Sequence, residues 1–331
     1  MMKILSVVGR NYAARVGATE PMYLEFTDPL VDLGHVVQHF DHTETRKWFG
    51  LEGCGERFVE HVRAGRYDLA FYATAGQDWM PPEAIREAGR YAAIIAWNSD
   101  DDWQWESYTK NLAPYFTFMV TTYPHIYEAN RKHCPNLRLS QWGCYDRLAD
   151  FSHTKDMRFT FVGRIYGYRN QECRYLRGAA GLQVFGQGAG LVRLGLPIFR
   201  GCTRIPGLMG QPIADYAKVN TIWNRSRISY TPLGSSADPD KLQIKGRVFQ
   251  MGLSGTLMLC NSHSDLSRYY EPGKEFVAYD DLKDCVEKAK YYLSHETERA
   301  QIAQAYHDHT KAEHLWQHRF ESLFREIGLK G

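Results

Sequence analysis

The stretch KGRVFQMGLSGTLMLCNSHSDLSRYYEPGKEFVAYDDLKDCVEKAKYYLSHETERAQIAQAYHDHTKAEHLWQHR, residues 245–319, is ordered as one complete ligand-binding unit. Two cations, Lys245 and Arg247, lead into a short helix of small residues, which a tight turn through Ser254, Gly255 and Thr256 closes. TLMLC reads as an apolar strand, and EPGKE as a loop that Gly273 turns. FVAYDD reads as a hydrophobic turn before a long amphipathic helix with a basic end. A cation at the start of such a unit, facing a cleft, would neutralise a leaving diphosphate.

Upstream, MRFTFVGRIYGYRNQECRYLRGA predicts a strand, a loop and a helix. GLQVFGQGAG follows as the next strand and a Gly-rich turn, since it lacks the full G-x-G-x-x-G opening of a dinucleotide site. IADYAKVNTIWNRSR predicts a helix leading into the strand ISYTPLG. The first 150 residues repeat the alternation: MKILSVVG, HVVQHFD, YDLAFYATA and YAAIIAWN as strands, with helices over EPMYLEFTDPLVDLG, RFVEHVRAG and PPEAIREAGR. FTFMVTT adds a fifth strand, and the segment after PHIYEANRK is an exposed connector. Strands alternating with helices specify an α/β protein of parallel sheets. We place an N-terminal Rossmann-like domain at 1–150 and a second at 151–312, two doubly wound domains facing a central cleft where ligands meet the carboxyl ends of the strands.

Composition agrees with that size. With 331 residues, 44% of them hydrophobic, the chain can bury two cores. No apolar run approaches the roughly 18 residues of a membrane span, and the MMKILSVVGR start lacks a signal peptide's longer apolar region, so a cytoplasmic location is expected. Seven widely spaced cysteines without a Cys-x-x-Cys pair indicate neither a disulfide framework nor a zinc site. The net charge of +2 hides an asymmetry: residues 158–227 hold eleven Lys and Arg against Glu172 and Asp215. That is a solvated basic face with one or two Arg on a pyrophosphate, or a surface with interleaved Tyr166, Tyr168, Tyr175 and Trp223 that holds nucleic acid.

Gly163 and Arg164 follow the first strand of the second domain and Arg169 starts its helix, so an anion there would meet backbone N–H groups and guanidinium forks together. Gly9 and Arg10 hold the corresponding place in the first domain. Asp100, Asp101 and Asp102 end the fourth strand; a carboxylate there can serve as a base toward an acceptor hydroxyl, bind that hydroxyl by hydrogen bonds, or hold a divalent metal, with His125 on the same edge. His307, His309, His314 and His318 crowd the last helices, but no carboxylate or Cys set pairs with them, and no metal site is assigned.

Arg247, Phe249, Gln250 and Gly255 resemble the donor-binding signature of GT-B glycosyltransferases, in particular the CgeB-like group, in which a Glu stands where this chain has Gln250. The wider retaining group carries a second Glu eight positions earlier; here Leu242 occupies it. The resemblance implies a GT-B fold whose last helix, 313–331, returns to the N-terminal domain. It also implies transfer of a sugar from a nucleotide-sugar co-substrate to an acceptor hydroxyl, with retention, without a metal and without any other cofactor. Lys245 and Arg247 would act on the leaving diphosphate, Gln250 would contact the donor ribose, and Glu271 and Asp265 the sugar hydroxyls. Two alternatives stay open: a phage-type enzyme glycosylating a modified base in DNA through residues 158–227, and a nucleotide-sugar-binding protein without transfer activity.

Overall fold

A computed structural model describes residues 1–10, 21–73, 80–165, 167–195, 216–235, 240–262 and 265–329. The chain divides into two compact units, Met1–Gly143 with Trp316–Gly331, and Cys144–Leu315. The crossing falls at Gly143 and Cys144, ahead of the Asp150 boundary that the pattern of elements suggests.

The first unit begins with β1 (Lys3–Val7), α1 (Asp28–Asp32), β2 (Val36–Phe40), α2 (His42–Gly65), β3 (Leu69–Ala73), α3 (Pro82–Ala88) and β4 (Ala93–Asn98). It continues with α4 (Asp101–Gln104), α5 (Lys110–Leu112), β5 (Phe118–Thr121), α6 (Pro124–Asn130) and β6 (Leu137–Leu139). The strands form one parallel sheet in the order β2-β1-β3-β4-β5-β6. All five residues of β3 are buried, as the unbroken apolar run LAFYA requires of a strand covered on both faces. Leu5, Phe58, Tyr72, Ile94 and Met119 meet in its core. The segment read as an exposed connector contains β6, which pairs with β5 as the sheet's last strand.

The second unit holds β7 (Met157–Val162), α7 (Tyr168–Ala180), β8 (Gln183–Phe185), α8 (Ala189–Arg193), α9 (Tyr216–Arg225) and β9 (Ser226–Tyr230). After these come α10 (Gly246–Gly252), β10 (Leu257–Asn261), β11 (Val277–Tyr279), α11 (Leu282–Ser294) and α12 (Glu296–Glu313). Its sheet is parallel in the order β11-β10-β9-β7-β8. Two readings of this region change. FVAYDD is not a turn: it supplies β11, which extends the sheet beside β10. The single long helix expected after it is two, broken at His295, whose ψ of 68° leaves the helical region while its ring stacks on Tyr291 at 3.8 Å. Asp281 starts α11 by accepting from the backbone N–H groups of Lys283 and Asp284.

The chain ends in α13 (Trp316–Glu326), part of the first unit. Trp316, Phe320 and Phe324 recur every four residues and so share one face. Trp316 and Phe320 meet Phe26, Phe71 and Trp97 at ring separations of 4.4–6.1 Å. No described helix is long and apolar enough to cross a membrane.

Candidate functional site

In the second unit the chain runs from β7 outward to β8, then returns past β7 to β9 on its other side. The connections leaving β7 and β9 therefore diverge, and the crevice between them at the carboxyl ends of the strands is where a doubly wound sheet takes its ligand. Two loops are fitted together there. Gly163 N–H donates to Phe185 O at 3.1 Å and Ile165 N–H to Gln187 O at 2.8 Å, which carries the β7–β8 pairing beyond the strands. Gly186 has φ +111°, and a Cβ on it would lie 2.2 Å from Gly163 O. Only glycine allows this approach, so the GQG following β8 shapes the loop that holds Gly163 and Arg164.

The cations of the opening stretch converge on the same crevice. Lys245 Nζ donates to Gly234 O at 3.1 Å, just beyond β9, and Arg247 Nη1 donates to Val162 O at 3.4 Å at the end of β7. Tyr168, at the start of α7, donates its hydroxyl to Ser235 O at 2.8 Å, and Leu233 N–H donates to Asn261 Oδ1 at 2.7 Å. The ends of β7, β9 and β10 are thereby tied into one frame with Arg247 and Lys245 on it. Arg164 is exposed on the β7 loop.

Four expected contacts make bonds within the protein. Arg169 is 2% exposed and donates through Nη2 to Gly234 O at 2.6 Å, so it braces the same loop that Lys245 reaches. Gln250 is fully buried: Oε1 accepts from Tyr145 N–H at 2.8 Å, while Nε2 donates to Tyr145 O at 3.1 Å and Asn220 Oδ1 at 2.9 Å. Those bonds occupy the amide within the unit, and the ribose contact is withdrawn. Glu271 stands on the approach to the amino end of β11, exposed and paired with Lys274 at 2.8 Å. Asp265 follows β10 and pairs with Arg268 at 3.1 Å.

In the first unit, Gly9 is buried just after β1, and Arg10 is exposed with its N–H on Asp41 Oδ2 at 3.0 Å. The run after β4 divides. Asp101 is 1% exposed and accepts from Asn98 Nδ2 at 2.5 Å. Burial pushes its carboxyl up to about 7, against hydrogen bonds from Thr121, Thr109 and Asn98. Asp101 thus pins the β4–α4 turn through Asn98. Asp100 is half-buried at the turn, and Asp102 lies 3.9 Å from His125 Nε2. Burial, then the charges of Asp102, Asp100 and Asp101, push the Tyr123 phenol up beside them.

The basic excess is partly consumed by structure. Arg225 forms a bidentate pair with Asp156, and Arg227 lies 3.9 Å from Glu296. Arg200 and Arg204, with Tyr166, lie outside the described residues. The histidines of α12 and its end bond individually: His307 to Leu253 O, His309 to Glu275 and His314 to Tyr269 O. Glu275, buried and also accepting from Glu271 N–H, is the carboxylate of the EPGKE loop that the sequence did not single out.

Residues 147–325, more than half of the chain, match the family described as glycosyl transferase-like. No curated protein sequence matches the chain. Among solved structures, an α-glucosyltransferase in complex with UDP-glucose and DNA containing an abasic site superposes with TM-score 0.64 and 13% identity, over 99% of both chains. HepE of Anabaena in complex with UDP and glucose gives 0.63 at 12% identity, covering 99% of this chain and 100% of the other. A sucrose-phosphate synthase from Thermosynechococcus elongatus gives 0.61 at 12% identity, over 99% of each. The two parallel sheets with their helices are the GT-B fold.

Proposed function

The chain belongs to the glycosyl transferase-like family, and we propose that it uses a nucleotide-sugar donor, as the superposed UDP and UDP-glucose complexes suggest, and binds the donor diphosphate at the β7–β9 crevice. The observation that carries this is the convergence of Arg247 and Lys245 on the carboxyl ends of β7 and β9, 3.4 Å from Val162 O and 3.1 Å from Gly234 O. When the bond from the sugar to the diphosphate breaks, negative charge grows on the leaving phosphate oxygens. Two ammonium and guanidinium groups fixed beforehand oppose that growth at no cost in reorganisation. Arg164 on the β7 loop adds a third cation to the binding step. Transfer is with retention, as in the enzymes whose signature the 245–255 segment resembles, and needs no metal because side-chain cations neutralise the diphosphate. A uridine nucleotide is the first donor to test, since the superposed HepE and α-glucosyltransferase structures hold UDP or UDP-glucose.

Thermal shift against UDP, UDP-glucose and other nucleoside diphosphates tests the assignment, because a ligand bound only by the folded protein must stabilise it. Arg247→Ala is expected to remove a charge-assisted contact of about 1.5–3 kcal/mol, roughly 10- to 150-fold in affinity. Unchanged nucleotide affinity and turnover in a folded variant would overturn the site.

A second reading concerns the acceptor and makes its hydroxyl part of a nucleic acid. It is favoured by the cations of residues 158–227 that remain exposed, among them Arg158, Arg164, Arg174, Arg177 and Arg193.

A further inference from the structure

In the second unit, α7 and the end of α8 bound a groove of about 480 Å3, lined by Gln171, Arg174, Tyr175, Arg177, Val192 and Arg193 among others. No carboxylate lines it among the described residues. The acid nearest in sequence, Glu172, faces the core and accepts from Tyr230 Oη at 2.8 Å. Arg174 and Arg177, three residues apart and therefore neighbours on the helix surface, are exposed, and Tyr175 beside them is 46% exposed. Arg193 closes the groove from α8, held in place by donation to Val184 O at 2.8 Å and by its position over the Phe185 ring.

We propose that this groove is a docking surface for DNA that carries the acceptor; the inference rests on the nucleic-acid reading of the acceptor. Arg177 stands in the last turn of α7, where the helix dipole repels anions. A lone phosphate thus gains little from the helix, and binding must come from several guanidinium forks meeting several charges, as along a phosphodiester chain. The exposed Tyr175 ring among the cations offers a surface on which a base stacks, a gain that no polyanion without bases can draw.

The test is fluorescence anisotropy of the full-length protein with a labelled oligonucleotide, single-stranded and as a duplex, across a salt series. Arg174→Gln with Arg177→Gln is expected to weaken binding at least tenfold at about 50 mM salt and to reduce the log–log salt slope by about two units. Tyr175→Ala is expected to weaken the single strand about tenfold, and more than the duplex. The UDP thermal shift should be unchanged in every variant. If the double variant does not fold, Tyr175→Ala decides alone. DNA bound as tightly by the variants as by the wild type overturns the groove and leaves the nucleic-acid acceptor standing. No DNA binding by the wild type at low salt overturns both. Tight binding of heparin or phosphatidylglycerol vesicles with no effect of Tyr175→Ala overturns the proposal in favour of a polyanion without bases.

Discussion

Gln250→Glu, which installs the glutamate of the signature that residues 247–255 resemble, tests whether residue 250 faces ligand or holds the fold, and the geometry predicts the second. The wild-type amide donates two bonds from Nε2, to Tyr145 O at 3.1 Å and to Asn220 Oδ1 at 2.9 Å, inside a fully buried site. An ionised carboxylate cannot donate. It keeps the bond from Tyr145 N–H but turns its second oxygen toward two acceptors, Tyr145 O and Asn220 Oδ1, so both bonds that Nε2 donates are lost. At about 1–3 kcal/mol for each buried bond whose donor is removed, the loss is roughly 2–6 kcal/mol at pH 8. At about 2–4 °C per kcal/mol for a domain of this size, the melting temperature should fall by roughly 5–20 °C. The pH dependence follows in sign. Burial raises the folded-state pKa of the introduced carboxyl above its unfolded value of about 4.3, so the protonated form restores one donor. The variant should therefore be closest to the wild type below that unfolded value and lose stability as pH rises through the folded one. Differential scanning calorimetry at pH 5 and pH 8 measures both effects. A variant as stable as the wild type at pH 8, above all one that binds UDP more tightly, would show that residue 250 meets the donor and refute the reasoning.

Three other outcomes are expected. Gly186→Ala should destabilise the second unit by about 2–4 kcal/mol and abolish nucleotide-dependent thermal stabilisation, since the added Cβ meets Gly163 O at 2.2 Å and φ is +111°; a melting temperature and UDP shift like the wild type's would remove the nested-loop account. Asp101 has a folded pKa raised to about 7, so its contribution is present below the unfolded carboxylate range near 4 and is lost as pH rises through 7. Relative to the wild type, Asp101→Asn should therefore gain stability between pH 4 and pH 8, whereas a difference that does not vary over that range, read by chemical denaturation, would place the carboxyl in an ordinary environment. Transfer should continue in EDTA; its complete loss, restored by magnesium or manganese, would move charge neutralisation from Arg247 and Lys245 to a metal.

What the sequence determined by itself is what short-range pattern encodes. Apolar runs such as LAFYA and AIIAWN between helical periods specify buried parallel strands, and their alternation leaves few topologies. Lys245 and Arg247 stand at the helix start that the sequence assigns them, because the same few residues that place them also end one loop and begin one helix. The tertiary structure decided matters that depend on distant partners. Gln250 reads as a ligand contact until Tyr145, 105 residues away, and Asn220, 30 away, close on its amide. Arg169 reads as a phosphate fork until Gly234 O, 65 residues on, takes its guanidinium. Asp101 reads as an exposed carboxylate until the turn buries it against Asn98 and Thr109. A side chain's hydrogen-bonding capacity is written in its chemistry, but whether solvent, ligand or protein uses it is settled by burial, and burial exists only once residues far apart in the chain have met.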